Sequence, residues 1–184
     1  MSKNNKFNPR ARKVDSSHPS VRVSGETDSP QNQLRAELYT HAFDRLSIAL
    51  EKENYFEAIF LADSIITDRI QALLQTITHG EEEQYGFGSV GTLIGSLWGE
   101  VKDRGIKFEE LTALRPLTLE VERWVPKRNV VAHGFVSVTP KNIQIGKEER
   151  LIALKETAIE GVKLARAVTN ETGKTIRELK KISD

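Results

Sequence analysis

The chain has 184 residues, is 38% hydrophobic, and sets 27 Lys and Arg against 26 Asp and Glu for a formal net charge of +1; that suits one packed domain with terminal extensions and leaves no room for a second domain of ordinary size. With no cysteine, disulfides and thiolate metal sites are excluded, and the four histidines (His18, His41, His79 and His133) are too scattered to suggest a zinc centre. The near-neutral charge gives no global positive field for polyanions, so any contact with nucleic acid must be local.

Residues 1 to 31 carry Pro9, Pro19 and Pro30, much Ser and Asn, and few large apolar side chains, which predicts a disordered tail that cannot bury enough surface to order itself. Its polar start, Met1-Ser2-Lys3-Asn4-Asn5, lacks the hydrophobic stretch of a signal peptide. No apolar run approaches the roughly 18 residues of a membrane helix, so a cytoplasmic protein with no membrane partner is expected. The tail is basic, with Lys3, Lys6, Arg10, Arg12, Lys13 and Arg22; these cations serve either a local RNA contact or plain solvation. A second basic set is Arg115, Arg123, Lys127 and Arg128.

The domain is expected over residues 32–184. A first helix over 32–53 follows from a capping Asn32 and from Leu34, Leu38, Ala42, Leu46 and Ala49 at helical spacing, with His41 riding on it as a packed or half-exposed side chain. A second, over 55–78, follows from the stripe Ile59, Ile66, Ile70, Leu73 and Ile77. Asp63 interrupts that stripe, whereas Asp68 points roughly the opposite way. An unpaired buried carboxylate costs several kcal/mol, so Asp63 either pairs, with Arg128 the first partner to name, or sits at the rim and meets water or a loop amide. His79-Gly80 then ends the helix, with Gly80 in the left-handed cap position.

Gly86-Phe87-Gly88-Ser89-Val90-Gly91 matches the GxGxxG pattern formally, but an acidic loop precedes it where a dinucleotide fold needs a buried strand. It reads better as the entry to a third helix, 89–102. There Leu93, Leu97 and Val101 are the apolar stripe, and Gly91, Gly95 and Gly99 offer a smooth face for close helix contact. Residues 108–133 are helical in pattern but interrupted by Pro116 and Pro126, the second of which is expected to reorient a short helix carrying residues 128–133. Residues 135–146 suggest a small hairpin. A last helix or pair of helices spans 147–182, bent at Gly173. The fold class is therefore all-α: an up-and-down bundle of four to five helices with a small β-hairpin insertion.

One heptapeptide carries the chemistry. Arg128-Asn129-Val130-Val131-Ala132-His133-Gly134 places capable polar side chains inside an apolar helical segment that ends in glycine. At about 100° per residue, Asn129 and His133 share a face, and Arg128 lies about 140° from His133. Arg128 therefore approaches the imidazole only through its length, a bend, or a second subunit. The partial negative charge of a helix C-terminus favours cationic side chains there.

The order arginine, polar residue, apolar trio, histidine, glycine resembles the signature of the HEPN superfamily. That resemblance, sharp only over 128–134 and architectural elsewhere, implies a metal-independent endoribonuclease needing no cofactor, a homodimer with two motifs facing one cleft, and a toxin or phage-defence effector that cuts tRNA or other RNA. RNA suits such a site because its 2′-hydroxyl is an internal nucleophile. His133 would act as base or acid, Arg128 would steady phosphate oxygens, and Asn129 would bond the phosphate or orient His133. Asp63 would orient Arg128, with Lys127 in support. An antitoxin, nucleotidyltransferase or ATPase partner is implied as regulator. The alternative is a non-catalytic helical subunit, a scaffold or regulatory partner in a larger defence complex, in which His133 and Arg128 merely satisfy helix ends.

Overall fold

The computed structural model describes residues 30–78, 89–107, 111–135 and 145–183. These form five helices: α1 Pro30–Glu51, α2 Tyr55–Ile77, α3 Val90–Asp103, α4 Leu114–Gly134 and α5 Lys147–Ser183. No strand occurs among the described residues, and none of their helices is long and apolar enough to cross a membrane. Residues 1–29 of the expected tail, the glycines at 86 and 88, the His79-Gly80 cap and the heart of the expected hairpin lie outside them, whereas Pro30 and Gln31, also assigned to the tail, begin α1.

α2 and α5 make the largest interface; α4 packs on α5, and α1 and α3 flank α2. The core follows most of the stripes read from sequence, with Leu46, Ile66, Ile70, Leu73, Leu97 and Ala165 fully enclosed, but on α1 the expected Leu34 and Leu38 are exposed and Tyr39 and Phe43 are buried instead. Cross-links set the directions. Tyr39 donates to Asp68 and Arg45 pairs with Glu57, so α1 and α2 are antiparallel. Trp124 Nε1 donates to the Thr157 carbonyl at 2.9 Å and Arg150 reaches Gly134, so α4 and α5 are antiparallel. Asp63 meets Arg128 and Phe56 meets Phe135, which makes α2 antiparallel to α4.

Helix ends are specified locally. Ser89 caps α3, accepting from Thr92 N–H at 3.3 Å. The helix closes on Gly105 (φ +65), with Gly105 N–H bonded to Lys102 and Ile106 N–H to Val101, the Schellman arrangement that a left-handed residue allows. The same closure ends α1 around Glu53 (φ +57), where Glu53 N–H bonds Leu50 and Asn54 N–H bonds Ala49.

Two expectations change, and one alternative is decided. α4 is one continuous helix rather than two: Pro116 lies in its first turn, where backbone N–H groups lack helical partners anyway, and Pro126 sits inside it. Pro126 is exposed while Val121, Trp124 and Val131 on the opposite side are buried, so packing holds the helix through the missing bond. Of the helix or pair of helices expected over 147–182, the structure has the single helix, α5, which runs through Gly173. The glycine face of α3 is not used for close packing: a Cβ at Gly91, Gly95 or Gly99 meets nothing within 4 Å among the described residues. The close approach is made by Gly161 of α5, where a Cβ would fall 2.5 Å from the buried Trp124 ring.

Candidate functional site

The heptapeptide forms the last two turns of α4, and its side chains divide by direction. Arg128 turns toward α2, and its Nη2 donates to Asp63 Oδ1 at 2.7 Å; the two side chains are 21% and 26% exposed. Burial pushes the Asp63 carboxyl above its ordinary value of 3.8, while the charge and hydrogen bond of Arg128 pull it back only in part. Desolvation disfavours the charged form of any carboxylate. The Arg128 Nε is buried without a partner among the described residues, and the guanidinium holds Asp63 through Nη2.

Asn129 and His133 leave the other side of the helix, one turn apart, and both are exposed. No hydrogen bond or ion pair joins either to another described residue. The structure thus brings Arg128 to Asp63, and no hydrogen bond joins it to His133 across the roughly 140° between them. Lys127 points away from Arg128 toward α5, where its Nζ lies 2.9 Å from both carboxylate oxygens of Glu160. His41 is exposed on α1. Asp68 belongs to a separate cluster, accepting from Tyr39 and lying 3.9 Å from Arg35.

Beside the motif, α4 and α5 border an open groove of about 470 Å³ lined by Pro126, Lys127, Val130, Val131, Ala153 and Glu156 among others. Val130 stands 69% exposed at its edge, and Ile152 is 55% exposed on α5. Among the described residues no group of three His, Asp or Glu is arranged to hold a metal ion.

Two anchors were not anticipated from the sequence. Phe135 packs edge-on against Phe56 of α2, with ring centroids 5.0 Å apart. Arg150 of α5 donates from Nη1 to the carbonyls of Gly134, at 2.6 Å, and Phe135, at 3.1 Å, and from Nε to that of Ile145 at 3.3 Å. A signal for Arg150 existed: an arginine in the first turn of a helix opposes the helix dipole and invites a reason. Nothing in the local sequence distinguishes Phe56 from an ordinary apolar residue. The end of α4 is thereby tied to α2 by Arg128 and Phe135 and to α5 by Arg150, while Asn129 and His133 face outward.

Compared with protein-family models, curated proteins and solved structures, the chain matches none.

Proposed function

We propose that the chain is a metal-independent endoribonuclease of HEPN type, acting as a homodimer. The observation that carries this reading is an exposed Asn129 and His133 on a helix end that is anchored to both neighbouring helices. Proton transfer to an external substrate needs reactive groups that are accessible yet held by a rigid element. In this reading His133 removes the proton of the RNA 2′-hydroxyl, and the 2′-oxygen attacks the adjacent phosphorus. The bond to the 5′-oxygen breaks, and that oxygen leaves with a proton from the partner's His133. The products are a cyclic phosphate and a 5′-hydroxyl end.

Arg128 stabilises charge on the phosphate oxygens with its forked donors while Asp63 orients it, and Asn129 bonds the phosphate or steadies His133. Lys127 adds positive charge next to the motif, moderated by Glu160. One imidazole cannot conveniently serve as both acid and base in a single turnover, which is why a second copy is required. The groove edge at Val130 is the apolar surface that a second copy would cover. The biological setting that fits is a cytoplasmic toxin or defence effector directed at tRNA or other RNA and silenced by a partner protein.

A scaffold role is favoured by one specific observation: Arg128 is already bound to a carboxylate inside its own fold. Alanine at His133 separates the two readings. The ribonuclease reading expects RNA cleavage in EDTA and growth arrest on expression, both abolished in His133→Ala and Arg128→Ala with helical content retained. The scaffold reading expects only assembly or stability to change, and intact RNA from the purified dimer would decide for it.

A further inference from the structure

Arg150 is the fourth residue of α5, in the turn where the helix dipole disfavours a cation. Glu148 and Glu149 suit that turn, and Glu149 Oε2 accepts from Gly146 N–H at 3.3 Å. The Arg150 side chain instead reaches back across the junction of α4 and α5. Hydrogen bonds from it end on the carbonyls of Gly134, Phe135 and Ile145. The first two belong to the C-terminal end of α4, whose last carbonyls have no helical partner. The third belongs to the chain as it enters α5. One guanidinium therefore grips both stems of the 136–144 connection with charge-assisted bonds, which are shorter and about twice as strong as neutral ones.

The first of those carbonyls follows His133 directly. The His133 imidazole is exposed and bonded to no described residue, so among the described residues its place is set by the backbone of the α4 terminus. Whatever holds that backbone places the Cβ from which the ring swings. We propose that Arg150 is the positioning residue for His133, fixing the α4 terminus so that the Cβ from which the imidazole swings is held in one place. The catalytic consequence rests on the ribonuclease reading; the mechanical claim does not. Lysine cannot replace arginine fully here, because a single ammonium cannot span acceptors that the guanidinium meets through Nη1 and Nε.

The test compares full-length wild type, Arg150→Lys and Arg150→Met by three readouts: amide hydrogen exchange, the His133 ring signal in 1H–13C spectra (assigned by its loss in His133→Ala), and cleavage of a tRNA pool. In Arg150→Met, amides 131–135 should exchange at least about tenfold faster while those of Ile66 and Ile70 keep their protection. The His133 signal should shift or broaden. Cleavage should fall about 10- to 100-fold in kcat with KM changed less than about twofold, and Arg150→Lys should fall between. Unchanged protection and ring signal in Arg150→Met overturns the proposal, as does an unchanged kcat. If the wild type cleaves no RNA, the ribonuclease reading falls while exchange and the ring signal still decide the clamp. Should Arg150→Met not fold, Arg150→Lys and Arg150→Gln carry the same readouts.

Discussion

Asp63 and Arg128 form a pair in which solvent loss and charge attraction work against each other. Burial raises the Asp63 carboxyl above 3.8 and Arg128 opposes the rise. In the range just above the ordinary aspartate value, the folded state then binds more protons than the unfolded one, so stability falls as pH rises through that range and levels off beyond the raised value. Replacing Arg128 with methionine removes the opposing charge and leaves Asp63 desolvated. Urea midpoints taken from about pH 3 to pH 7 should therefore decline more steeply for Arg128→Met than for wild type, and Asp63→Asn in the same background should flatten the curve. A flat profile in Arg128→Met would mean that water reaches Asp63 freely. At neutral pH Arg128→Met should cost about 1–3 kcal/mol, since about three quarters of each side chain is out of solvent.

At the scale of the helices, termini and crossings are set by different residues. α1 closes on Glu53 with φ +57, a left-handed conformation that costs a side-chain-bearing residue about 1–2 kcal/mol and glycine nothing. Glu53→Gly should accordingly raise stability by about 1 kcal/mol, reduced somewhat by the added freedom of the unfolded chain; a drop in the thermal midpoint would show that Glu53 contributes through its side chain instead. α4 shows the converse. Pro126 removes a backbone bond from its middle, yet the helix persists because the fully buried Trp124 docks on α5, with its Nε1 satisfied by Thr157 and its ring laid over Gly161. Local preference to break was outweighed by burial of a large ring, a change worth about 3–5 kcal/mol when such a side chain is truncated to alanine.

At the scale of the whole molecule, the motif of one chain is incomplete for the proposed reaction. Arg128 and His133 leave α4 on different sides, and among the described residues only the first has a partner. The exposed Val130 and the groove beside it predict where a second copy would meet the first. Sedimentation of wild type should give a dimer, and Val130→Asp should give a monomer of unchanged helicity with RNA cleavage reduced at least about 100-fold, a charge at a desolvated contact being costly. A monomeric wild type that still cleaves RNA would show that one subunit suffices.

Periodicity alone determined the helices and most of the core. Apolar residues at steps of three and four leave a chain one way to hide them, and Asp63 stood out because a carboxylate in such a stripe demands a partner. Arg128 was nameable as that partner because it belongs to the polar heptapeptide 128–134. What tertiary structure decided were the interactions between elements distant in sequence: the continuity of α4 through Pro126, the use of Gly161 and not the α3 glycines for close approach, and the reach of Arg150 to the α4 carbonyls. Those depend on which helices become neighbours and in what register, and helical spacing records the face a residue occupies without recording what stands opposite it.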